Sequence, residues 1–269
     1  MPDKKQEAHL DTREVIGAGL VIKYHSDRKP NVSTKNRLSK SASISCSVMR
    51  SAVWQIDKIV LFGRDEPDWM TPILDKHFCL HKDNTLTSVL DGKKLKNAKQ
   101  RRKFLAEVRK PMLSTSFHLN TGMYLLDVDA KHRMTVGDFH IDNMGDGWSE
   151  LDSENKKVVS RNIEGYVQGR EGWKEKAGAS SSGSIHVGFS LFDEFAYTPE
   201  QMARIIIHEA THKFCKTADV KYCWDANYDQ QSPQQMKNNA DSLAYAAMSI
   251  AAKTVLDSAS LPNYSHQKG

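Results

Sequence analysis

Long apolar runs are missing from this chain of 269 residues. None approaches the roughly 20 consecutive apolar residues that carry a helix across a bilayer, which excludes a helical channel or transporter. No cleaved leader is expected at the start of the sequence either. Met1-Pro2-Asp3-Lys4-Lys5-Gln6-Glu7 runs only into a short apolar patch, Val15 to Ile22, that two glycines interrupt and charges flank. That pattern is not a secretory signal peptide. The expectation is a protein that works where it is made, or one that leaves by a route needing no cleaved leader. Cysteine is sparse: Cys46, Cys79, Cys215 and Cys223 form neither a dense disulfide framework nor a C-x-x-C metal pair. Cys215 and Cys223 bracket one loop, which they would staple in an oxidising compartment; in a reducing one they are small packed hydrophobes. No internal repeat is present.

Charge of one sign is only weakly in excess, at +5, and much of it sits in Lys93 to Lys103, Arg109 and Lys110. This run lacks interleaved aromatics and no nucleic-acid motif accompanies it, so the expectation is a solvated helix face. Binding of nucleic acid or an anionic surface through residues 93–110 stands behind that as an alternative function. Asp127, Asp129, Asp138, Asp142 and Asp146 form an acidic region, yet Asp142 to Gly147 lacks the spacing and terminal glutamate of a calcium loop and reads as turn chemistry. His132, His140 and His186 are isolated and read as surface or hydrogen-bonded core residues.

What stands out against this background is Arg204-Ile205-Ile206-Ile207-His208-Glu209-Ala210-Thr211-His212, an H-E-x-x-H motif. On a helix, His208 and His212 project from one face a turn apart, the separation that two imidazoles need to share one zinc ion. Glu209 beside that ion takes a proton from an attacking water and passes it to a leaving amine, the chemistry of a zinc peptidase. A helix is expected here on local grounds. Thr198-Pro199-Glu200-Gln201 supplies a hydroxyl cap, a proline in the first turn and a glutamine three residues after the cap, and Met202, Ile205 and Ile206 follow at helical spacing.

Along the chain, residues 1–38 read as a weakly patterned extension, with Asp27 to Lys35 as exposed loop. Helical spacing follows from Ser39 to Gly63, from Trp69 to Phe78, and from Asn97 to Val108, the last ending before Pro111. Between Leu113 and Phe192 the period drops towards two, with strand candidates at 123–128, 134–141 and 184–189 and a flexible turn at Ala179 to Gly183. Ser232-Pro233-Gln234-Gln235 repeats the cap pattern, and Leu243, Ala244, Ala247, Ile250, Ala251 and Val255 offer a face that can pack on the metal helix.

A third metal ligand is sought by elimination. The long metzincin motif needs Gly at 215 and His at 218, where this chain has Cys215 and Ala218. No Glu follows Glu209, and His266 lies three residues from the end. Asp219, Asp225, Asp229, Asp241, Asp257, Cys215 and Cys223 remain, and an aspartate on a short loop is a normal zinc ligand.

At Thr217-Ala218-Asp219-Val220-Lys221-Tyr222 the sequence resembles the G-T-x-D-x-x-Y-G segment of the aspzincins, the deuterolysin-like zinc endopeptidases. Asn239-Ala240-Asp241-Ser242-Leu243-Ala244-Tyr245 is similar to their N-A-D-S-x-x-Y segment, and Ile185 to Phe192 to the apolar strand before their metal helix. The resemblance covers residues 185–250 clearly, residues 39–110 loosely and the first 38 not at all. It implies that His208, His212 and Asp219 bind one Zn2+ per chain, that Glu209 is the general acid/base, and that Tyr222 stabilises the oxyanion. A phenol three residues beyond a ligand can donate to the charge that develops on a polarised carbonyl; the competing reading of Tyr222 is a packed loop aromatic. Lys216 and Cys223 depart from the two flanking glycines of the family pattern.

In lysine-selective relatives the aspartate of N-A-D-S lines an acidic substrate pocket, which implies a substrate-binding role for Asp241 and a bias towards Lys, weakened because Ala244 replaces a second acid. The competing reading of Asp241 is a buried residue hydrogen-bonded to the active-site loop.

The resemblance thus implies an α+β, zincin-like metallopeptidase domain with a helical N-terminal part, a small sheet, the metal helix and a C-terminal helix. Its expected limits are 39–256, with the helical part at 39–112 and the sheet and active site at 113–256, after an extension at 1–38 and before a flexible tail at 257–269. The implied activity is zinc-dependent endoproteolysis of a protein or peptide substrate. With no leader in sight, the expectation is a bacterial toxin or effector exported by a specialised secretion system, otherwise a cytoplasmic protein, whose further partners would be a cognate inhibitor or a secretion-system component. A zinc-stabilised binding protein or inactive relative is the alternative from another class.

Overall fold

The computed structural model describes residues 10, 12–17, 19–87, 90–91, 94–95, 97–127, 165–166 and 184–262. The strand candidate at 134–141, the acidic residues from 129 to 146, His132, His140 and the turn at 179–183 lie outside the described residues.

The stretch expected to be an unpatterned extension contains two strands, β1 (Thr12–Ile16) and β2 (Leu20–Tyr24), paired antiparallel with Ile16 opposite Leu20. The apolar patch that two glycines interrupt is therefore a hairpin. Gly17 takes φ +51°, and a Cβ there would lie 1.9 Å from Ser39 Oγ, so the turn needs a glycine on both counts. Helix α1 (Val32–Val60) starts ahead of Ser39, inside the expected loop. Its cap is Asn31, whose side chain accepts from Thr34 N at 2.8 Å. Thr34 Oγ1 and Arg37 then bind Asp193, tying the first turn to a distant segment.

Helix α2 (Met70–Phe78) and a two-stranded ladder, β3 (Leu90–Asp91) with β4 (Lys94–Leu95), lead to α3 (Ala98–Thr121). Pro111 does not end α3. A proline inside a helix costs about 3 kcal/mol, but the buried stripe continues through Met112, Thr115, Ser116 and Leu119, and α3 still meets α1 beyond the proline, where Cys46 Sγ donates to Leu119 O. Lys99, Lys103 and Lys110 are exposed, as a solvated face requires, and Arg101 is the exception in the basic run. It is 1% exposed, bonds Glu66 through Nε at 2.8 Å and Nη2 at 2.7 Å, and donates to Leu86 O. Arg109 is held by Asp57.

Strands β5 (Tyr124–Asp127), β6 (Gly165–Tyr166) and β7 (Ser184–Val187) complete a mixed sheet of order β1-β2-β5-β7-β6. The β2–β5 and β5–β7 pairs are parallel, with Ile22 opposite Leu125 and Leu125 opposite Ile185. Four more helices follow: α4 (Phe189–Glu194), α5 (Pro199–Cys215), α6 (Pro233–Met236) and α7 (Ala240–Ala252). The capped segment at Ser232 is thus a one-turn helix separate from the last one. The chain is mixed α+β, with seven helices and a small mixed sheet among the described residues.

Helix α5 occupies the centre, packed against α1, α3, α7 and β7. Residues 201 to 211 of α5 are all buried, so its polar members do not form a solvated stripe and each must find a partner inside. The segment after Leu256, expected to be loose, is anchored at Leu261 and Pro262, while Ala259 and Ser260 are exposed. Leu261 is 8% exposed, Tyr245 Oη donates to Leu261 O at 2.8 Å, and Gln201 Nε2 donates to Pro262 O at 3.1 Å.

Candidate metal centre

The helix that carries H-E-x-x-H begins at the expected residue and for the expected reason. Thr198 Oγ1 accepts from Gln201 N, and Gln201 Oε1 accepts from Thr198 N at 2.7 Å, so two end donors are satisfied reciprocally with Pro199 in the first turn. Its other end turns sharply. Lys216 adopts φ +58°, the left-handed conformation favoured by glycine, and sends the chain back across the helix face so that Asp219 comes beside the histidines.

Three atoms converge there. His208 Nε2 and His212 Nε2 are 3.1 Å apart, and Asp219 Oδ1 lies 3.2 Å from each. Among the described residues this is the one group of three or more His, Cys, Asp or Glu placed to hold a metal. The outer nitrogens reveal what the inner ones present. His212 Nδ1 donates to Thr217 O at 2.8 Å, which in the neutral ring leaves the lone pair on Nε2. Two imidazole nitrogens and a carboxylate oxygen therefore face one point. Ligands at about 2.0 to 2.1 Å around a tetrahedral centre lie roughly 3.3 Å from one another, so the spacing of the triangle fits a small divalent cation.

The electrostatics agree with that fit. Burial opposes charge on His208, but Asp219, Asp241 and Glu209 outweigh it and push its pKa up to about 10. His212 is raised in the same way, burial again being overcome by Asp219. Burial would raise Asp219, but His212 and His208 hold it well below the ordinary carboxylate value. Without a metal the site keeps positive charge on its imidazoles to balance the carboxylates. Glu209 Oε1 lies 4.0 Å from His208 Nε2, and burial raises its pKa, partly offset by the two histidines. Tyr222 stacks on His208, with ring centroids 6.2 Å apart, and on Trp224 at 4.6 Å. Burial, with Asp219 and Glu209 adding to it, keeps its phenol well above the ordinary value and hence protonated.

The chain matches no family model, no curated protein and no solved structure. The ligand candidates left open by elimination sort themselves by position. Asp225 Oδ2 accepts from Tyr222 N, Asp229 accepts from Gln230 Nε2, and Asp257 accepts from Ala259 N and Ser260 N. Cys215 and Cys223 are free thiols with no disulfide between them. Cys215 Sγ packs 3.2 Å from both Thr115 Oγ1 and Pro111 O.

Asp241 lies inside the packed chain. Its side chain is 0% exposed, Oδ1 lies 3.1 Å from Arg204 Nη1, and Oδ2 accepts from Cys223 N at 2.6 Å. A carboxylate enclosed in this way supports the second reading of Asp241, a buried residue bonded to the active-site loop, over a substrate pocket. Arg204 and Asn239 are the residues that sequence reasoning passed over. Arg204 sits one turn before His208 on the same face, an arginine in a stretch of isoleucines, and that anomaly was the available signal. Asn239 caps no N–H of α7 with its side chain. Instead its Oδ1 accepts from Val220 N at 2.9 Å and Lys221 N at 3.3 Å, and its Nδ2 donates to Lys221 O at 2.6 Å, directly beyond Asp219.

A separate cavity of about 350 Å3 is bordered by Leu20, Cys46, Arg50, Asn120 and Met123 and shares no residue with the cluster.

Proposed function

We propose that the protein is a zinc-dependent endopeptidase with a zincin-like, aspzincin-type site, holding one zinc ion per chain. The observation that carries this reading is the triangle of His208 Nε2, His212 Nε2 and Asp219 Oδ1 at 3.1 to 3.2 Å with Glu209 beside it. Three electron-rich atoms turned towards one point repel one another unless a cation or a proton lies between them. Zinc held by these residues would supply Lewis acidity, polarising a substrate carbonyl and lowering the pKa of a water.

The chain supplies the rest. Glu209 accepts a proton from the attacking water, holds it on its carboxylate, and returns it to the leaving amine. Its raised pKa suits both halves of that transfer. Tyr222, kept protonated, donates its hydroxyl hydrogen bond to the scissile carbonyl oxygen as negative charge builds there. Asp219 is the most solvent-open member, its side chain 26% exposed against 8% for His208 and 7% for Glu209, so substrate approaches past the loop rather than through the helix.

Metal analysis and a protease assay test this together. The purified protein is expected to carry about one zinc per chain, and Asp219→Ala to lose it. Wild type should cleave a denatured protein or a peptide library, and Glu209→Gln should retain zinc without cleaving. Zinc in both with cleavage in neither would move the protein to the class of metal-stabilised binding proteins.

A further inference from the structure

We propose that Asp241 is a positioning residue of the metal centre: its buried carboxylate fixes the ring of His208 through Nδ1 and pins the loop that carries Asp219 and Tyr222 through the Cys223 N–H. The assignment rests on the metal reading above and replaces a role in substrate binding.

The two histidines need different outer partners because they sit differently. His212 is near the mouth of the site and finds a backbone carbonyl, Thr217 O, at 2.8 Å. His208 is a turn deeper, 7% exposed, and its Nδ1 is a buried atom that forms no hydrogen bond of normal geometry. The charged atom it faces is Asp241 Oδ1, at 3.4 Å. A histidine that gives the lone pair of Nε2 to a cation carries its proton on Nδ1, and that N–H is ordinarily received by a carboxylate, a carbonyl or water. Asp241 is the carboxylate in place.

The same group holds the loop. Cys223 N donates to Oδ2 at 2.6 Å, one residue beyond Tyr222, while Asn239, two residues before Asp241, clamps Val220 and Lys221 just beyond Asp219. The start of α7 is thus bonded to the chain before, within and after the Asp219–Tyr222 segment, and Asp241 also faces the metal helix. Arg204 makes the buried charge tolerable. It pairs with Asp241 at 3.1 Å, lies over the Tyr245 ring at 5.3 Å, and is itself 2% exposed. No substrate side chain is required to explain any atom of Asp241.

The test is zinc affinity, measured by competition with a chromogenic chelator, for wild type, Asp241→Asn, and the double variant Asp241→Asn with Arg204→Met, which removes the buried ion pair as a unit. An asparagine cannot accept at both positions, so it loses either the Cys223 N–H or the His208 side of the contact. The expected result is zinc binding weaker by about ten- to a hundredfold in whichever variant melts near the metal-free wild type. With zinc restored by excess, peptides with basic and with neutral residues after the scissile bond should lose turnover alike, whereas a substrate-pocket role would show in the KM of basic peptides only. Wild type supplies a second measurement should both variants fail to fold: its zinc-loaded form should show a His208 Nδ1 proton protected from exchange. Unchanged affinity in a folded variant, a loss confined to basic peptides, or no such proton in wild type would overturn the assignment while leaving the metal reading intact. A wild type that takes up no zinc would overturn both.

Discussion

His77 should make this protein lose stability in mild acid. The side chain is wholly enclosed, with Nδ1 3.3 Å from Tyr228 Oη, Nε2 3.1 Å from Ser249 Oγ, and the ring stacked on Tyr245 at 5.9 Å. Burial lowers its pKa from 6.5 to about 4, with the charge of Asp241 offsetting part of the effect. The folded value lies below the unfolded one, so the unfolded chain binds the extra proton between them. Stability is therefore complete above about pH 6.5 and drains away as pH falls through about 4. At 1.36 kcal/mol per unit, a shift of about 2.5 units removes about 3 kcal/mol, a large share of the roughly 5 to 15 kcal/mol that holds an ordinary domain together. The assay is urea unfolding of metal-free protein, followed by tryptophan fluorescence, at intervals from pH 7.5 to 4. Other histidines and carboxylates also contribute over this range, so the comparison is with His77→Asn, which keeps a polar group near Tyr228 and cannot take up the proton. Wild type should lose about 3 kcal/mol more than the variant across the window. Parallel stability curves for the two proteins would refute the reasoning.

Other outcomes follow from the same structure. Glu66→Ala leaves the buried Arg101 guanidinium with Leu86 O and the more distant Asp75 carboxylate, at 3.5 Å, and should cost about 3 to 5 kcal/mol in chemical denaturation, far more than an exposed ion pair would. Lys216→Gly relieves a left-handed residue at the end of α5 and should raise stability by about 0.5 to 1 kcal/mol, read as a higher melting temperature with zinc content unchanged. Zinc at a thousandfold excess over its dissociation constant should add about 4 kcal/mol to stability, an increment that Asp219→Ala removes. Because His208 is pushed up to about 10, zinc must displace a proton from it at neutral pH. Calorimetry in buffers of different ionisation enthalpy should show proton release, and affinity that rises with pH.

The H-E-x-x-H helix was legible in the sequence because everything that makes it is local. The Thr198–Gln201 capping box, Pro199 and the four-residue spacing of His208 and His212 act within a few turns of one helix, and α5 starts at Pro199 as they require. Strands β5 and β7 were legible for the same reason, as short apolar runs between turn residues. Asp219 was one of seven candidates on sequence grounds, and a family resemblance singled it out. Its convergence with the histidines depends on Lys216 turning left-handed and on Asn239 gripping the chain just beyond it, contacts between residues about 20 apart that no periodicity encodes.

Tertiary structure alone decided the remaining points. The hairpin at 12–24 has little pattern of its own and is held by parallel pairing of β2 with β5, a hundred residues away in sequence. Pro111 breaks a local rule, and α3 runs through it because the packing on α1 persists beyond the proline. Arg101 looked like one more cation in a basic run until Glu66 and Leu86 enclosed it. Asp241 shows the difference most plainly. Its sequence is compatible equally with a pocket that meets substrate and with a strut beneath a ligand. Solvent access separates the two, and access is set by the packing of α7 on α5, with Arg204 and Cys223 closing over the carboxylate. Helix caps and hydrophobic spacing are properties of a segment, whereas burial and charge pairing are properties of the whole packed chain.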